Sequence, residues 1–185
     1  MADTSDFRTG FAMRYKGDLW TIIEFQHVKP GKGGAFVRTK LKGVTNGKVI
    51  EETFRAGAKV EEVRLERRNY QYLYRDGDFY TFMNTETYDQ IQLPQDTLGD
   101  LPLYVKESDL CQVLLLDEKP LTVEPPFTVE LAVSATDPGL RGDTAQGGTK
   151  PATMETGLVI QVPLFIEEGQ VLKVDTRTGK YLGRV

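Results

Sequence analysis

Short apolar runs broken by glycine, proline and asparagine alternate along this chain from its start. Four of them, rich in β-branched and aromatic residues, fall in the first third: 11–15, 19–25, 35–41 and 49–54. Such runs favour short strands joined by tight turns, and Asn46-Gly47 is a strong hairpin signal. The pattern predicts a small SH3-like barrel over residues 1–64. Its core is expected to hold four large side chains: Phe11, Trp20, Phe25 and Phe54.

The same alternation of apolar runs and turn residues continues after residue 64. Tyr70, Tyr72 and Tyr74 recur at every second position, so they are expected to line one face of a sheet. The segment 94–101 predicts a short helix or turn, and Pro125-Pro126 marks a junction between two segments of similar length. We therefore expect an all-β chain of three small domains with bounds 1–64, 65–127 and 128–185.

The amino-acid composition argues against several classes of function. The 185 residues are 39% hydrophobic and 27% charged, which is ordinary for a soluble globular protein, and no membrane helix or signal peptide is visible. Cys111 is the single cysteine and His27 the single histidine, so a Cys/His zinc site cannot be assembled. Cys111 is expected to be a small buried hydrophobe. We expect a cytoplasmic protein without metal or cofactor.

Charge is distributed unevenly along the chain. Residues 1–64 carry 12 basic and 8 acidic residues, a net charge of +4, whereas 65–127 carry −7 and 128–185 carry −1. The excess of cations falls between residues 14 and 42, where seven basic residues face two acidic ones: Arg14, Lys16, Lys29, Lys32, Arg38, Lys40 and Lys42. Cations concentrated in this way are typical of a phosphate-facing surface.

These cations surround the segment Lys29-Pro30-Gly31-Lys32-Gly33-Gly34, which separates two predicted strands. Glycine lacks a side chain, so the backbone can lie close to another surface, and Lys32 is left as a long cation at the tip. By itself the segment is more typical of a solvated hairpin turn than of a binding loop.

Two stretches, taken together, resemble one known family. Residues 27–38 are similar to the tip of the first domain of bacterial translation elongation factor P. A second stretch has the spacing of that family's C-terminal signature: Lys150, Ala152, Gly157, Ile160, Val162, Pro163, Ile166 and Gly169. The resemblance covers essentially the whole chain, and it implies an SH3-like (KOW-type) domain followed by two OB-fold domains.

The resemblance also implies a function and a set of partners. It implies a factor that binds the 70S ribosome between the P and E sites, contacts peptidyl-tRNA and promotes peptide-bond formation at consecutive prolines. Lys32 would be the target of a lysine-modifying enzyme, and residues 29–34 would meet the acceptor end of the tRNA. The resemblance also implies that the protein acts as a monomer and is not itself an enzyme. Further RNA contacts are implied at the codon side, by Arg141, Gly142, Asp143 and Thr144, and elsewhere by Arg38, Lys40, Tyr181 and Arg184.

Three alternatives remain open at this stage. Lys32 could be a Schiff-base or general-base lysine, which requires a desolvated amine. The chain could be a general OB-fold binder of single-stranded RNA, with Tyr70, Tyr72 and Tyr74 as stacking platforms. It could also be an elongation-factor-P-like paralogue of the same architecture.

Overall fold

The computed structural model describes residues 1–139 and 147–185, and these residues form a nearly all-β chain. The predicted fold class is confirmed. Contacts divide the chain into two compact units, one of Met1–Arg68 with Val113–Thr122 and one of Asn69–Gln112 with Val123–Val185. The predicted domain bounds after residues 64 and 127 stay a prediction.

The first sheet lies within the first unit and has the strand order β1-β6-β2-β3-β4-β5. Its strands are β1 (Ala2–Asp3), β2 (Ala12–Tyr15), β3 (Asp18–Val28), β4 (Phe36–Gly43), β5 (Val49–Arg55) and β6 (Lys59–Glu62), with a 3-10 helix at Thr4–Asp6. Phe11, Trp20 and Phe54 are buried in its core, as predicted. Val37, Thr39 and Leu41 of β4 also point inward, because alternate strand residues face opposite sides.

Phe25 is the exception to the predicted core, since 38% of its surface remains exposed. The register of β3 and β4 contains a bulge between Ile22 and Glu24, after which Phe25 pairs with the buried Thr39. Phe25 therefore lies on the core-facing side, but Ile22 is the last β3 residue in the buried cluster, six positions before the strand ends. Strand β3 thus continues past its last core residue, and Phe25 lies on that part of β3, whereas its partner strand β4 stays buried as far as Val37.

The second sheet has the strand order β11-β10-β7-β8-β9. Its strands are β7 (Glu66–Asp76), β8 (Phe79–Asn84), β9 (Gln90–Pro94), β10 (Leu110–Leu116) and β11 (Lys119–Glu124), with helix α1 (Gln95–Leu98) and a 3-10 turn at Leu101–Leu103. Tyr70 and Tyr72 are buried, but Tyr74 is 44% exposed, so the prediction of one aromatic face is wrong for Tyr74. A register shift between Tyr72 and Tyr74 turns the latter to the opposite face.

The third sheet lies within the second unit and has the strand order β14-β13-β12-β15-β16. Its strands are β12 (Thr128–Thr136), β13 (Thr149–Met154), β14 (Val159–Pro163), β15 (Val171–Asp175) and β16 (Tyr181–Arg184). Leu103 and Tyr104 pack against the buried cluster of this sheet, and the Thr156 hydroxyl donates to the Leu103 carbonyl at 2.5 Å. Cys111 of β10 is buried, as predicted.

Candidate functional site

The lysine-tipped segment ends a long antiparallel hairpin. The β3–β4 ladder continues to the pairs His27–Val37 and Val28–Phe36, so residues 29–35 form the connection. The Ala56 N–H donates to the Ala35 carbonyl at 3.0 Å and fixes one end of this connection to the end of β5. The register thus places the segment at the very end of the sheet's longest ladder.

Every residue from Lys29 to Gly34 is exposed. Gly33 has a φ of +106°, a conformation that glycine adopts without strain and other residues rarely adopt. A Cβ added at Gly31 or Gly34 would meet nothing within 4 Å. Lys32 therefore projects from a loop in which the three neighbouring glycines add no side-chain bulk.

The cations around the tip separate into two groups. Three are held in ion pairs on the first sheet: Arg14 with Glu61 at 3.4 Å, Lys16 with Glu52 at 2.5 Å and Lys40 with Glu24 at 3.3 Å. The Lys16 ammonium holds the pKa of the Glu52 carboxyl below its ordinary value. Within the part of the chain that the structure describes, no ion pair involves Lys29, Lys32, Arg38 or Lys42.

The four cations without ion pairs lie on or beside the hairpin. Arg38 is exposed, and its guanidinium lies 5.6 Å from the ring centroid of Phe36. On the neighbouring strand Phe25 and His27 make an edge-to-face contact at 5.7 Å between ring centroids. The end of the hairpin thus combines unpaired cations with partly exposed rings, groups that suit phosphates and bases respectively. Phe25 lies on the face of the hairpin opposite Arg38, and the sequence analysis missed its exposure because it assigned this residue to the core.

The remaining predicted site residues lie elsewhere in the chain. Tyr181 and Arg184 are both on β16, where Tyr181 packs partly against the core of the third sheet. Arg184 is exposed, and its guanidinium lies 5.1 Å from the ring centroid of Phe165. Arg141, Gly142, Asp143 and Thr144 lie outside the described residues.

Side-chain exposure argues against two of the alternatives, a catalytic lysine and a tyrosine stacking platform. Lys32 is exposed, whereas a Schiff-base lysine needs a desolvated amine. Tyr70 and Tyr72 are buried and cannot stack on bases. Among the described residues no group of three potential ligands is arranged to hold a metal ion, and no helix is both long and apolar enough to span a bilayer.

Comparison with known proteins defines first a class and then a family. Three family models match in succession: the "Elongation factor P (EF-P) KOW-like domain" over residues 3–60, the "Elongation factor P (EF-P) OB domain" over 65–123 and "Elongation factor P, C-terminal" over 129–184. These descriptions define a multidomain β-barrel translation factor.

Relatives over the full length define the family. The chain is 58% identical to elongation factor P of Rhodococcus erythropolis over 185 residues, covering 100% of this chain and 99% of that protein. It is 54% identical to elongation factor P of Agathobacter rectalis, with both chains covered completely. This chain belongs to the elongation factor P family, as the sequence resemblance predicted.

A solved structure supports the same class. The "Eukaryotic translation initiation factor 5A from Methanococcus jannaschii" matches with a TM-score of 0.50 and 25% identity, over 66% of this chain and 92% of that one. The shared architecture therefore extends to a translation factor with much lower sequence identity.

Proposed function

We propose that this protein binds the ribosome between the P and E sites and promotes peptide-bond formation where consecutive prolines stall synthesis. The observation that carries the proposal is Lys32, an exposed cation at the tip of a glycine-flanked loop that ends the β3–β4 hairpin. Lys32 would meet the acceptor end of P-site peptidyl-tRNA, with Lys29 and Arg38 neutralising nearby phosphates. The protein would act in the cytoplasm as a monomer.

The acceleration would come from orientation. Proline is a poor nucleophile as the incoming amine, and it is rigid as the last residue of the peptidyl group. Holding the acceptor end in a reactive geometry would lower the barrier to peptide-bond formation without any proton transfer from the protein. The exposure of Lys32 suits this role better than acid–base chemistry, since nothing around it desolvates the amine. The protein would therefore assist the ribosome's reaction and would not be an enzyme in its own right.

Lys32 is also the proposed target of a lysine-modifying enzyme. Its exposed side chain and the open space at Gly31 and Gly34 leave room for an enzyme to reach the amine. Intact-mass measurement of the protein from its native host would reveal an added group, and a native digest with only unmodified Lys32 would refute this part of the proposal.

Further contacts are proposed away from the tip. Arg38 and Lys40 would face RNA beside the acceptor end, although Lys40 would first have to exchange its ion pair with Glu24. Tyr181 and Arg184 on β16 would supply a contact from the third sheet. Arg141, Gly142, Asp143 and Thr144 would lie at the E-site codon, where carboxylate, hydroxyl and guanidinium groups can recognise base edges and phosphate.

The test is a reconstituted translation system with a Pro-Pro-Pro template and a proline-free control template. We expect Lys32→Ala to slow proline transfer about a hundredfold relative to wild type, which corresponds to about 2.7 kcal/mol of transition-state positioning. Lys32→Arg should recover little, because guanidinium differs in shape and cannot receive a lysine modification.

Lys48→Ala is the matched control. Lys48 is equally exposed, but it lies in the turn at the opposite end of β4, about 23 Å away along the strand. Lys48→Ala removes the same charge from the same barrel as Lys32→Ala does, and it should leave the rate of proline transfer unchanged. Equal stimulation by wild type and Lys32→Ala would refute the proposed role of Lys32, and binding of free oligonucleotides that is independent of Lys32 would favour a general RNA-binding protein.

A further inference from the structure

Three turns of this chain, one in each sheet, have the same hydrogen-bond pattern. They span residues 43–48, 84–89 and 175–180. In each turn the first N–H donates to the sixth carbonyl at 2.8–2.9 Å, and the fifth N–H donates to the first carbonyl at 2.8–3.0 Å. The fifth residue has a positive φ in all three turns: +67°, +62° and +69°. Each sheet therefore builds the same turn from a different sequence.

Tyrosine occupies the position in the second turn that glycine occupies in the other two. The fifth residue is Gly47 in the first turn and Gly179 in the third, but it is Tyr88 in the second. A bulky side chain is rare at such a φ, because its Cβ lies too close to the following carbonyl oxygen. The second turn therefore holds a residue that suits its backbone less well than glycine does.

The side chain of Tyr88 is open to solvent. Its exposed fraction is 70%, and among residues 1–139 and 147–185 no hydrogen bond, ring contact or cation contact involves its ring or hydroxyl. The described part of the fold therefore supplies no such contact to offset the strain at this position. Strained residues of this kind are concentrated at functional sites, where the strain accompanies a function.

The residues beside Tyr88 are acidic. Glu86 and Asp89 belong to the same turn and are exposed, and none of the ion pairs among the described residues involves either carboxylate. Segment 65–127, to which the turn belongs, carries 5 basic and 12 acidic residues, a net charge of −7. Carboxylates beside an exposed ring favour a lysine or arginine side chain, because both the carboxylate and the ring face attract a cation. The same charges repel the phosphates of RNA.

We propose that Tyr88 contacts a basic polypeptide surface of the ribosome, with Glu86 and Asp89 supplying the complementary charge. The inference rests on the proposed ribosome function, and it adds a contact from the second sheet, where the sequence analysis predicted no site residue. It explains why tyrosine is present in a turn that glycine would fit without strain: the ring is needed for binding and not for folding.

The first variant is Tyr88→Gly, which gives the second turn the residue found in the other two. We expect its affinity for purified 70S ribosomes to fall about tenfold, whereas the urea midpoint of the second sheet should equal or exceed that of wild type. Alkylation of Cys111 follows that midpoint selectively, since this single cysteine is buried in β10. A lower midpoint with unchanged affinity would overturn the proposal, because it would show that Tyr88 serves the fold alone.

Tyr88→Asn keeps the proposal testable if Tyr88→Gly does not fold. Asparagine tolerates a positive φ without the extra freedom that glycine gives the unfolded chain, so the variant should fold and lose affinity as Tyr88→Gly does. Tyr88→Phe keeps the ring and should bind within about twofold of wild type. Wild-type affinity of Tyr88→Asn, or a loss in Tyr88→Phe as large as in Tyr88→Gly, would count against a contact made by the ring.

Phe79→Ala is the matched control for loss of an exposed ring. Phe79 is 51% exposed on β8 of the same sheet, but its φ is not positive and it lies about 17 Å along the strand from Asn84. Its replacement should leave ribosome affinity unchanged, and a loss equal to that of Tyr88→Gly would overturn the assignment to Tyr88.

Gly47→Tyr tests the strain itself. A Cβ at Gly47 would meet nothing within 4 Å, so the variant reports the backbone conformation of the turn without a steric clash of the Cβ. It should lower the urea midpoint of the first sheet, which the fluorescence of the buried Trp20 follows. An unchanged midpoint would remove the argument from strain and with it the proposal.

Two measurements decide the class of partner. Glu86→Gln/Asp89→Asn should weaken ribosome binding if the partner is a basic polypeptide, whereas it should strengthen binding if the partner is RNA, because carboxylates attract cations and repel phosphates. The photo-crosslinking residue p-benzoylphenylalanine at position 88 should give an adduct with a ribosomal protein, sensitive to protease and resistant to ribonuclease. Stronger binding of the double variant, or an adduct with ribosomal RNA alone, would overturn the proposed partner.

The failures are distinguishable. If the wild-type protein does not bind ribosomes, the proposed function and this inference fall together. If wild type binds and the Tyr88→Gly and Tyr88→Asn variants bind equally well, only the inference falls, and the Lys32 assay still stands by itself.

Discussion

Replacing each of the two glycines that flank Lys32 by alanine should change the free energy of unfolding in opposite directions. Gly31 and Gly33 are both exposed, lie two residues apart and have no atom that would clash with an added Cβ. They differ in backbone conformation, because Gly33 has a φ of +106° and Gly31 has no positive φ. The pair therefore isolates the energetic effect of conformation from that of added bulk.

The expected magnitudes follow from that difference. A non-glycine residue held at the φ of Gly33 costs about 1–3 kcal/mol. At Gly31, alanine restricts the unfolded chain without strain and should stabilise the fold by about 0.4–1 kcal/mol. The two variants should therefore differ by about 1.4–4 kcal/mol in the free energy of unfolding. If the loop of Gly33→Ala instead relaxes around the added methyl group, the stability loss shrinks, but Lys32 is redirected and the rate of proline transfer falls.

Trp20 allows the first domain to be followed selectively. It is the single tryptophan, it is buried in the core of the first sheet, and its indole N–H donates to the Tyr15 carbonyl at 3.0 Å. Urea unfolding monitored by its fluorescence should place the midpoints of the two variants about 1 M apart, with Gly33→Ala lower. Equal midpoints combined with wild-type rates for both variants would refute the reasoning about the loop backbone.

Two further predictions concern the cores. Phe54→Ala should lower the free energy of unfolding by about 3–5 kcal/mol, whereas Phe25→Ala should lower it by less than about 1.5 kcal/mol, because Phe25 is partly exposed on the part of β3 beyond its last core residue. Equal losses in the Trp20-monitored urea experiment would contradict the burial argument. Burial, aided by the charge of Asp109, raises the pKa of the Cys111 thiol to about 12 from an ordinary value of 9.0. Iodoacetamide at pH 8.5 should therefore alkylate the native protein about a thousandfold more slowly than the urea-unfolded chain, and similar rates would exclude a buried thiol. The folded state binds this proton more tightly, so the thiol's contribution to stability should be complete below about pH 9 and be lost as the pH rises toward 12.

Much of the fold could be read from the sequence because turn residues and strand periodicity are local signals. Asn46-Gly47 forms the predicted turn, in which the Gly43 N–H donates to the Lys48 carbonyl and Gly47 has a φ of +67°. Val37, Thr39 and Leu41 are buried, as their recurrence at every second position predicts. These features depend on neighbours in sequence, so no knowledge of tertiary contacts was needed.

The errors come from register, which depends on the partner strand. Each bulge inserts one unpaired residue and changes which later residues face the core. In β3 the bulge allows Trp20 and Phe25, five positions apart, to share a face, which strict alternation forbids. In β7 a bulge separates Tyr74 from Tyr70 and Tyr72, although their spacing alone predicts one face.

The candidate site was predictable in part. The exposed position of Lys32 follows from glycines and proline in its own loop, so the sequence indicated it. The pairing of Lys16 with Glu52, 36 residues apart, and of Lys40 with Glu24 could not be read from local charge. The net charge of 14–42 therefore overstates the number of cations free to meet RNA. Lys150 belongs to the C-terminal signature, but the hydrogen bond that its ammonium group donates to the Asp137 carbonyl depends on the pairing of β12 with β13.

The length of the β3–β4 ladder has a consequence for how such a hairpin can change. From Ile22, the last β3 residue in the core, the strand continues six residues to Val28, about 20 Å. Because strand side chains alternate between two faces, the length of the hairpin can change by pairs of residues without reversing those faces. Adding two residues to each strand would advance Lys32 by roughly 6.6 Å and leave every side chain on its present face. Adding one residue to each strand on the core side of Val37 would turn Val37 outward and Arg38 inward, so an extension at that point keeps the present faces only in steps of two residues.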